Sequence, residues 1–383
     1  MTVTYGMTQE QVELVGVVRD FATSELAPNA VRWDQEKYFP VDTLASAGEL
    51  GLGAIYVREE SGGSGLTRPD AALIFEELAK GDTTIAAYIS IHNMVVWMID
   101  RYGDDAQRAA WIPGLASMRQ LGSYCLTEPE AGSDAAALVT SAVRDGDEYV
   151  INGVKQFISG AGASSVYIVM ARTGEQGPDG ITAILVPADT AGLSFGTNEK
   201  KMGWNAQPTR QVIFDDVRVP VTNALGAEGT GFEIAMNGLN GGRLNMAACS
   251  LGGAQWALEQ TTRYMQERTT FGKALVSHQA LLFRLADMEI QLQAARTFLG
   301  RAAHALQDDD DAKVTLCAAA KKFVTDAAFA VANDALQLHG GYGYLSEYGI
   351  EKVVRDLRVH QILEGSNEIM SLIVGRALTG TRG

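Results

Sequence analysis

Apolar residues recur at helical spacing through the first third of the chain. Val12, Val15, Val18 and Leu26 share one side of a repeat of about 3.6 residues. Thr8 followed by Gln11 has the form of a capping box, in which hydroxyl and amide satisfy each other's free backbone N–H groups. Further helices are predicted over 41–50, 70–80 and 83–102. From about residue 121 the grammar shifts to short β-branched and aromatic runs at 149–152, 154–159, 166–171, 181–186 and 210–214. Turn residues separate them: Asp145-Gly146-Asp147, Asn152-Gly153, 160–162 and 174–180. Strands this close, with no helix between them, predict an antiparallel sheet, barrel or sandwich and argue against βαβ units. Beyond Gly229 long helical patterns return as far as Arg376. The expectation is an α+β chain in three parts: a helical domain over 1–120, a middle β domain over 121–225 and a helical bundle over 226–383.

Composition narrows the partners. A net charge of −15 over 383 residues disfavours nucleic acid and anionic membrane surfaces, both of which repel an acidic protein. Cys125, Cys249 and Cys317 are far apart and form no metal or disulfide pattern, so they read as small buried hydrophobes in a reducing compartment. The first residues, MTVTYGMTQEQVELV, have neither an apolar signal core nor the Arg-rich character of a transit peptide. The apolar stretch at 85–99 is interrupted by Ser90, His92 and Asn93 and is too short to span a bilayer. A cytoplasmic protein without membrane segments is expected. The glycine-rich 61–65 (SGGSG) reads as a turn, because no GxGxxG or Lys-Ser/Thr accompanies it. The acidic run 308–311 lacks EF-hand spacing and reads as a helix–helix connection in which Asp310 or Asp311 caps the second helix; no metal site is expected.

Five motifs remain. They are YCLTEPEAGSD at 124–134, ERTTFGK at 267–273, His278-Gln279, QLHGGYG at 337–343 and ILEGSNEI at 362–369. Read locally, Glu364 in the last of these is more often a solvated helix cap than a catalyst. Together, in order and spacing, the motifs resemble the acyl-CoA dehydrogenase family over essentially the whole chain. The C-terminal third, DLRVHQILEGSNEIM with QLHGGYGYL upstream, is most similar to the family's isobutyryl-CoA branch.

The resemblance implies an FAD-dependent enzyme. Its reaction removes the α-proton of a short, branched acyl-CoA to a base while the β-hydrogen leaves as hydride, giving methacrylyl-CoA if the substrate is isobutyryl-CoA. Straight butyryl-CoA and 2-methylbutyryl-CoA are the alternative substrates. Electrons are then expected to pass to an electron-transferring flavoprotein, and the expected assembly is a homotetramer. Glu364 matches the base, and a desolvated carboxylate has the raised proton affinity that this task needs. Some relatives carry their base on another helix; the matching position here is Gly242, which has no proton acceptor. By the same resemblance Leu126, Thr127, Gly132, Ser133, Phe157, Ile158 and Ser159 contact FAD, Phe157 standing where relatives often carry Trp. Arg268 is expected at its pyrophosphate, often that of a neighbouring subunit, where a guanidinium grips phosphate oxygens bidentately, and Thr270 is expected to contact the cofactor too. His278, Gln279, Gln337, Leu338, His339, Gly340 and Gly341 are expected near its adenine half, with Ser366 and Glu368 completing the set. Ser133, Asn240, Arg243 and Gly365 fall on the substrate side, although relatives often have Asp where Asn240 stands. The rival readings are an acyl-CoA oxidase or flavin monooxygenase on the same fold, a non-catalytic acyl-CoA-binding flavoprotein, and a purely structural helical protein.

Overall fold

The computed structural model describes residues 6–381; residues 1–5, part of the stretch read above for a leader, lie outside it. Six helices come first: α1 (Gln9–Phe21), α2 (Ala30–Glu36), α3 (Val41–Glu49), α4 (Arg68–Gly81), α5 (Thr83–Tyr102) and α6 (Asp105–Ala116). The capping box forms: Gln11 N–H donates to Thr8 Oγ1 (3.2 Å) and Thr8 N–H to Gln11 Oε1 (3.1 Å). Asp82 caps α5 by accepting from the Thr84 and Ile85 N–H groups. Nearly all of α5 is buried, as an apolar stretch without a polar face must be. Among the described residues no helix is long and apolar enough to cross a membrane.

Eight strands follow: β1 (Gly122–Cys125), β2 (Ser141–Asp145), β3 (Glu148–Ser159), β4 (Val166–Arg172), β5 (Ile181–Pro187), β6 (Leu193–Phe195), β7 (Thr209–Pro220) and β8 (Ala224–Leu225). They pair in the order β6-β7-β3-β2-β4-β5-β8, with β1 added against β4. Two expectations change. Asn152-Gly153 is no turn: it lies inside β3, where the register against β7 slips and Gly153 takes φ +147° at a bulge. The sheet is also not wholly antiparallel, since β1 pairs with β4 in parallel (Gly122↔Val166 to Cys125↔Val169). The β2–β3 hairpin intervenes and returns the chain in the starting direction, and β4, apolar at six consecutive buried positions, is covered on both faces as parallel neighbours require.

The chain then forms α7 (Gly231–Glu267), a small hairpin of β9 (Thr269–Thr270) and β10 (Lys273–Ala274), and α8 (Gln279–Gln307), α9 (Lys313–His339), α10 (Ile350–His360) and α11 (Asn367–Thr379). The acidic run joins α8 to α9, and Asp310 Oδ1 accepts from the Ala312 N–H (2.7 Å). One cluster of buried side chains runs through α1, α4, α5 and α7 to α10, so the helices before and after the sheet share a core. A buried ion group ties that core to the sheet. Lys352 lies 2.7 Å from Asp356 and 3.3 Å from Asp82, while Asp356 also accepts from the Trp204 N–H (2.7 Å). Trp204, in the stretch leading to β7, is thereby fixed against α10, with its indole N–H donating to His360 Nε2 (3.1 Å).

Candidate active site

A cleft of about 600 Å³ opens between the sheet and helices α5, α7 and α10. Its β wall is built by a buried ion pair. The Glu128 carboxylate accepts from the N–H groups of Val139 (2.7 Å) and Thr140 (2.9 Å) and from Lys155 Nζ (2.7 Å). Lys155, fully buried on β3, also donates to the Leu126 carbonyl (3.0 Å). The loop after β1 is thus tied at both ends, and it presents Leu126, Thr127, Gly132 and Ser133 to the cleft. A second register slip in β3, between Lys155 and Ile158, gives Phe157 φ +60° and leaves it 62% exposed on the cleft wall. A non-glycine residue in that region costs about 1 kcal/mol, a cost no buried packing of the ring offsets. Ile158 packs inward and Ser159 lines the cleft, its Oγ accepting from Gln207 (3.3 Å).

The helical wall carries Phe232, Met236, Leu239, Arg243 and Met246 at helical spacing on α7, with Ile91 and Met94 from α5. At its end stands Glu364, in the turn between α10 and α11. Glu364 (φ +56°) and Gly365 (φ +86°) are both left-handed, which turns the carboxylate into the cleft. Ser366 then caps α11, accepting from the Ile369 N–H (3.4 Å). Glu364 as a residue is half-buried, but its Oε2 is closed off and has no hydrogen-bond partner. Burial raises the carboxyl to about 7, against the pull of Arg243 and then Lys321. Two backbone contacts hold the turn: Arg243 Nε donates to the Glu364 carbonyl (3.2 Å) and Lys321 Nζ to the Gly365 carbonyl (2.9 Å). Arg243 spends another donor on Asn240 Oδ1 (2.9 Å), so Asn240 is buried behind it. Gly242, the alternative base position expected above to be empty, converges on the same point: a Cβ there would stand 2.6 Å from Glu364 Oε2.

Tyr124 was not among the expected site residues. It lines the cleft, its buried hydroxyl has no partner, and burial, then the nearby Glu364 charge, keep the phenol protonated. Its place at the head of the YCLTEPEAGSD motif was the available signal. Two orphaned buried polar atoms on one cleft are what a ligand slot leaves for its ligand. The remaining lining fits a flavin: an aromatic ring on a strained bulge, the hydroxyls of Thr127, Ser133 and Ser159, and an open glycine, with a desolvated carboxylate entering from the helical side.

The other expected cofactor residues lie elsewhere. Arg268, Thr270, Gln337, Leu338, His339, Gly340 and Gly341 surround a separate groove of about 480 Å³ where α7 and α9 end. His339 is held there structurally, its Nδ1 bonded to the Ala335 carbonyl (2.8 Å) and its ring stacked on Tyr264 (4.4 Å between centroids). His278 sits beside it, Nε2 bonded to the Thr270 carbonyl (3.3 Å), and Gln279 begins α8. Gly365 lines the main cleft, whereas Ser366 and Glu368 are not among its lining residues, and Glu368 is exposed. Among the described residues no group of side chains could hold a metal ion.

Comparison with known proteins agrees with this geometry. Residues 8–119, 123–217 and 229–379 match the family models for the N-terminal, middle and C-terminal domains of acyl-CoA dehydrogenase. The chain is 52% identical over 373 residues to the mitochondrial isobutyryl-CoA dehydrogenase of Bos taurus, covering 97% of this chain and 90% of that one. It superposes on butyryl-CoA dehydrogenase from Megasphaera elsdenii with a TM-score of 0.95 at 37% identity, covering 98% and 99% of the two chains. A chain in a structure of the electron transferring flavoprotein of Acidaminococcus fermentans also matches, with a TM-score of 0.95, 36% identity and coverage of 98% and 99%.

Proposed function

Because the chain belongs to the acyl-CoA dehydrogenase family, we propose that it desaturates a short branched acyl-CoA, isobutyryl-CoA first, with Glu364 as the base. It is an FAD-dependent oxidoreductase acting on acyl-CoA thioesters. The observation that carries the assignment of the base is the Glu364 carboxyl, its Oε2 closed off and unpartnered and its proton affinity raised by burial to about 7, on the wall of the cleft. At neutral pH about half of such groups are ionised, and a desolvated carboxylate of that affinity takes an α-proton far better than a solvated one. Thr127, Ser133, Phe157 and Ser159 would hold FAD against the β wall, where it would supply the acceptor for the β-hydrogen. Arg243 fixes the carbonyl of Glu364 and so the direction of its carboxylate. The apolar stretch of Ile91, Met94, Phe232, Met236 and Leu239 excludes water from the acyl chain. Preference for a branched substrate draws on the likeness to the isobutyryl-CoA enzyme, with butyryl-CoA as the nearest competitor.

Arg268, Thr270, Gln337 and their neighbours serve the cofactor of a neighbouring chain in a homotetramer. Their position in a groove of their own, with Arg268, Gln337, Gly340 and Gly341 exposed and Phe271 97% exposed beside them, supports this. Electrons leave to an electron-transferring flavoprotein.

The deciding experiment is an anaerobic titration of the purified enzyme with isobutyryl-CoA and with butyryl-CoA, following the visible flavin absorption in wild type and Glu364→Gln. Wild type should bleach at lower isobutyryl-CoA concentration. The variant should retain FAD and bind ligand but lose turnover by orders of magnitude. Near-normal bleaching in Glu364→Gln would remove the base assignment, and bleaching by butyryl-CoA alone would remove the branched substrate.

A further inference from the structure

Lys321 lies on the buried stripe of α9 between Cys317 and Val324–Thr325, with no exposed surface at all. No carboxylate forms an ion pair with it among the described residues. Burying an ammonium in this way carries a desolvation cost that a methionine or leucine at the same position would avoid. What its Nζ does reach is the turn that carries Glu364: the Gly365 carbonyl at 2.9 Å and Asn367 Oδ1 at 2.9 Å. Asn367 is in turn held from behind, donating to Asp326 Oδ1 (2.7 Å) and Thr325 Oγ1 (3.1 Å) of α9. From the opposite side, Arg243 of α7 binds the preceding carbonyl, that of Glu364. Cations on two helices therefore grip two consecutive carbonyls. Together they fix the peptide planes on either side of Gly365, where the backbone is left-handed at two residues in succession. A turn so strained relaxes unless its surroundings over-determine it.

We propose that Lys321 is a positioning residue for the base, holding the Gly365 carbonyl and Asn367 from α9 so that the Glu364 turn keeps its carboxylate in the cleft. The inference rests on Glu364 being the base. Lys321 is absent from the cleft lining and acts through the turn alone. Its charge has a second consequence. The groups facing Glu364 are Arg243 from α7, Lys321 from α9, Tyr124 from β1 and Tyr56 from the loop after α3. Those facing Lys321 are Glu364, Arg243, Asp326, Glu368 and His360. Of the four around Glu364, Arg243 and Lys321 carry positive charge, and both favour the carboxylate form. Removing Lys321 therefore raises the proton affinity of Glu364 as well as loosening it.

The test compares Lys321→Met and Lys321→Arg with wild type and Glu364→Gln, all as FAD-loaded protein. Lys321→Met should keep its FAD and its melting temperature and lose about 30-fold or more in kcat with little change in KM. The acid limb of its kcat profile should move up by about half a pH unit or more. Lys321→Arg, which keeps the charge but displaces the donor, should restore the acid limb and recover only part of kcat. An infrared titration of the protonated-carboxyl band that is missing in Glu364→Gln should show the same upward shift in Lys321→Met without any turnover. Wild-type kcat in Lys321→Met overturns the proposal, and so does an unshifted carboxyl titration. Should Lys321→Met fail to fold, Asn367→Ala decides: it leaves the charge in place and removes one of the two acceptors that orient it. Its kcat should fall about tenfold at full FAD content, and an unchanged kcat overturns the proposal. An active Glu364→Gln would instead remove the base assignment itself, whatever the Lys321 variants do.

Discussion

A single methyl group added to α7 at position 242 probes the placement of the proposed base, Glu364, without replacing it. A Cβ there would lie 2.6 Å from Glu364 Oε2, 2.9 Å from Cδ and 3.1 Å from Oε1, and these are its three nearest neighbours. Ordinary contact begins near 3.4 Å, so the carboxylate must retreat by about 0.8 Å. The helix loses nothing: Gly242 has no positive φ, and Gly→Ala inside a helix stabilises by roughly 0.5–1 kcal/mol. The whole penalty therefore falls on the end of one side chain. Displacing a reacting group by about 1 Å costs on the order of a hundredfold in rate, close to 3 kcal/mol in the barrier. Gly242→Ala should accordingly bind FAD, melt at or above the wild-type temperature, and reduce its flavin with saturating isobutyryl-CoA about 30- to 300-fold more slowly. Single-turnover absorption under anaerobic conditions measures that step directly. A rate within about threefold of wild type would show that the cleft does not depend on the Glu364 position. A rate loss matched by a fall in melting temperature would trace the effect to packing.

The raised pKa of Glu364 also predicts a stability effect. Its ionisation costs the folded state nothing below the unfolded value of 4.5 and the full amount above about 7. Glu364→Gln should therefore be more stable than wild type by up to about 3 kcal/mol at pH 8 and no more stable at pH 4; a difference in melting temperature that ignores pH would contradict the raised affinity. Lys155→Met leaves Glu128 charged and buried without its ion-pair partner, and should cost about 3–5 kcal/mol by denaturant titration together with loss of bound FAD. A variant that stays stable and yellow would show that this pair does not hold the β wall. Phe157→Gly relieves a left-handed residue that buries little, so the FAD-free protein should be as stable as wild type or slightly more so while FAD dissociates at least about tenfold more readily. Unchanged FAD retention would make the bulge a feature of the strand alone.

How much of this was legible in the sequence depends on the range of the interactions involved. The pattern over residues 83–102 predicts a helix with both ends correct, because Asp82 caps it and no competing pattern interrupts the apolar run. Asn152-Gly153 misleads because Asn-Gly is a strong hairpin signal, and only pairing with β7, far along the chain, turns it into a bulge. The parallel placement of β1 is equally non-local. In the site, the motifs name Glu364, but nothing in their spacing could show that Gly242 leaves the room its carboxylate occupies. The expected cofactor residues form one set in sequence, whereas in the fold most of them divide between two cavities. Lys321 is the instructive miss, because a signal for it existed. Cys317, Val324, Thr325 and Ala328 define the buried side of α9, and the same period places Lys321 inside and Lys322 outside. A lysine on a buried stripe contradicts the expectation that charge faces water, and the contradiction is resolved by the carbonyl of Gly365 and the side chain of Asn367, which the turn after α10 delivers from far later in the chain. Local rules break where a distant element supplies the partner, so a polar residue on an apolar stripe is best read as a question about what arrives there from elsewhere.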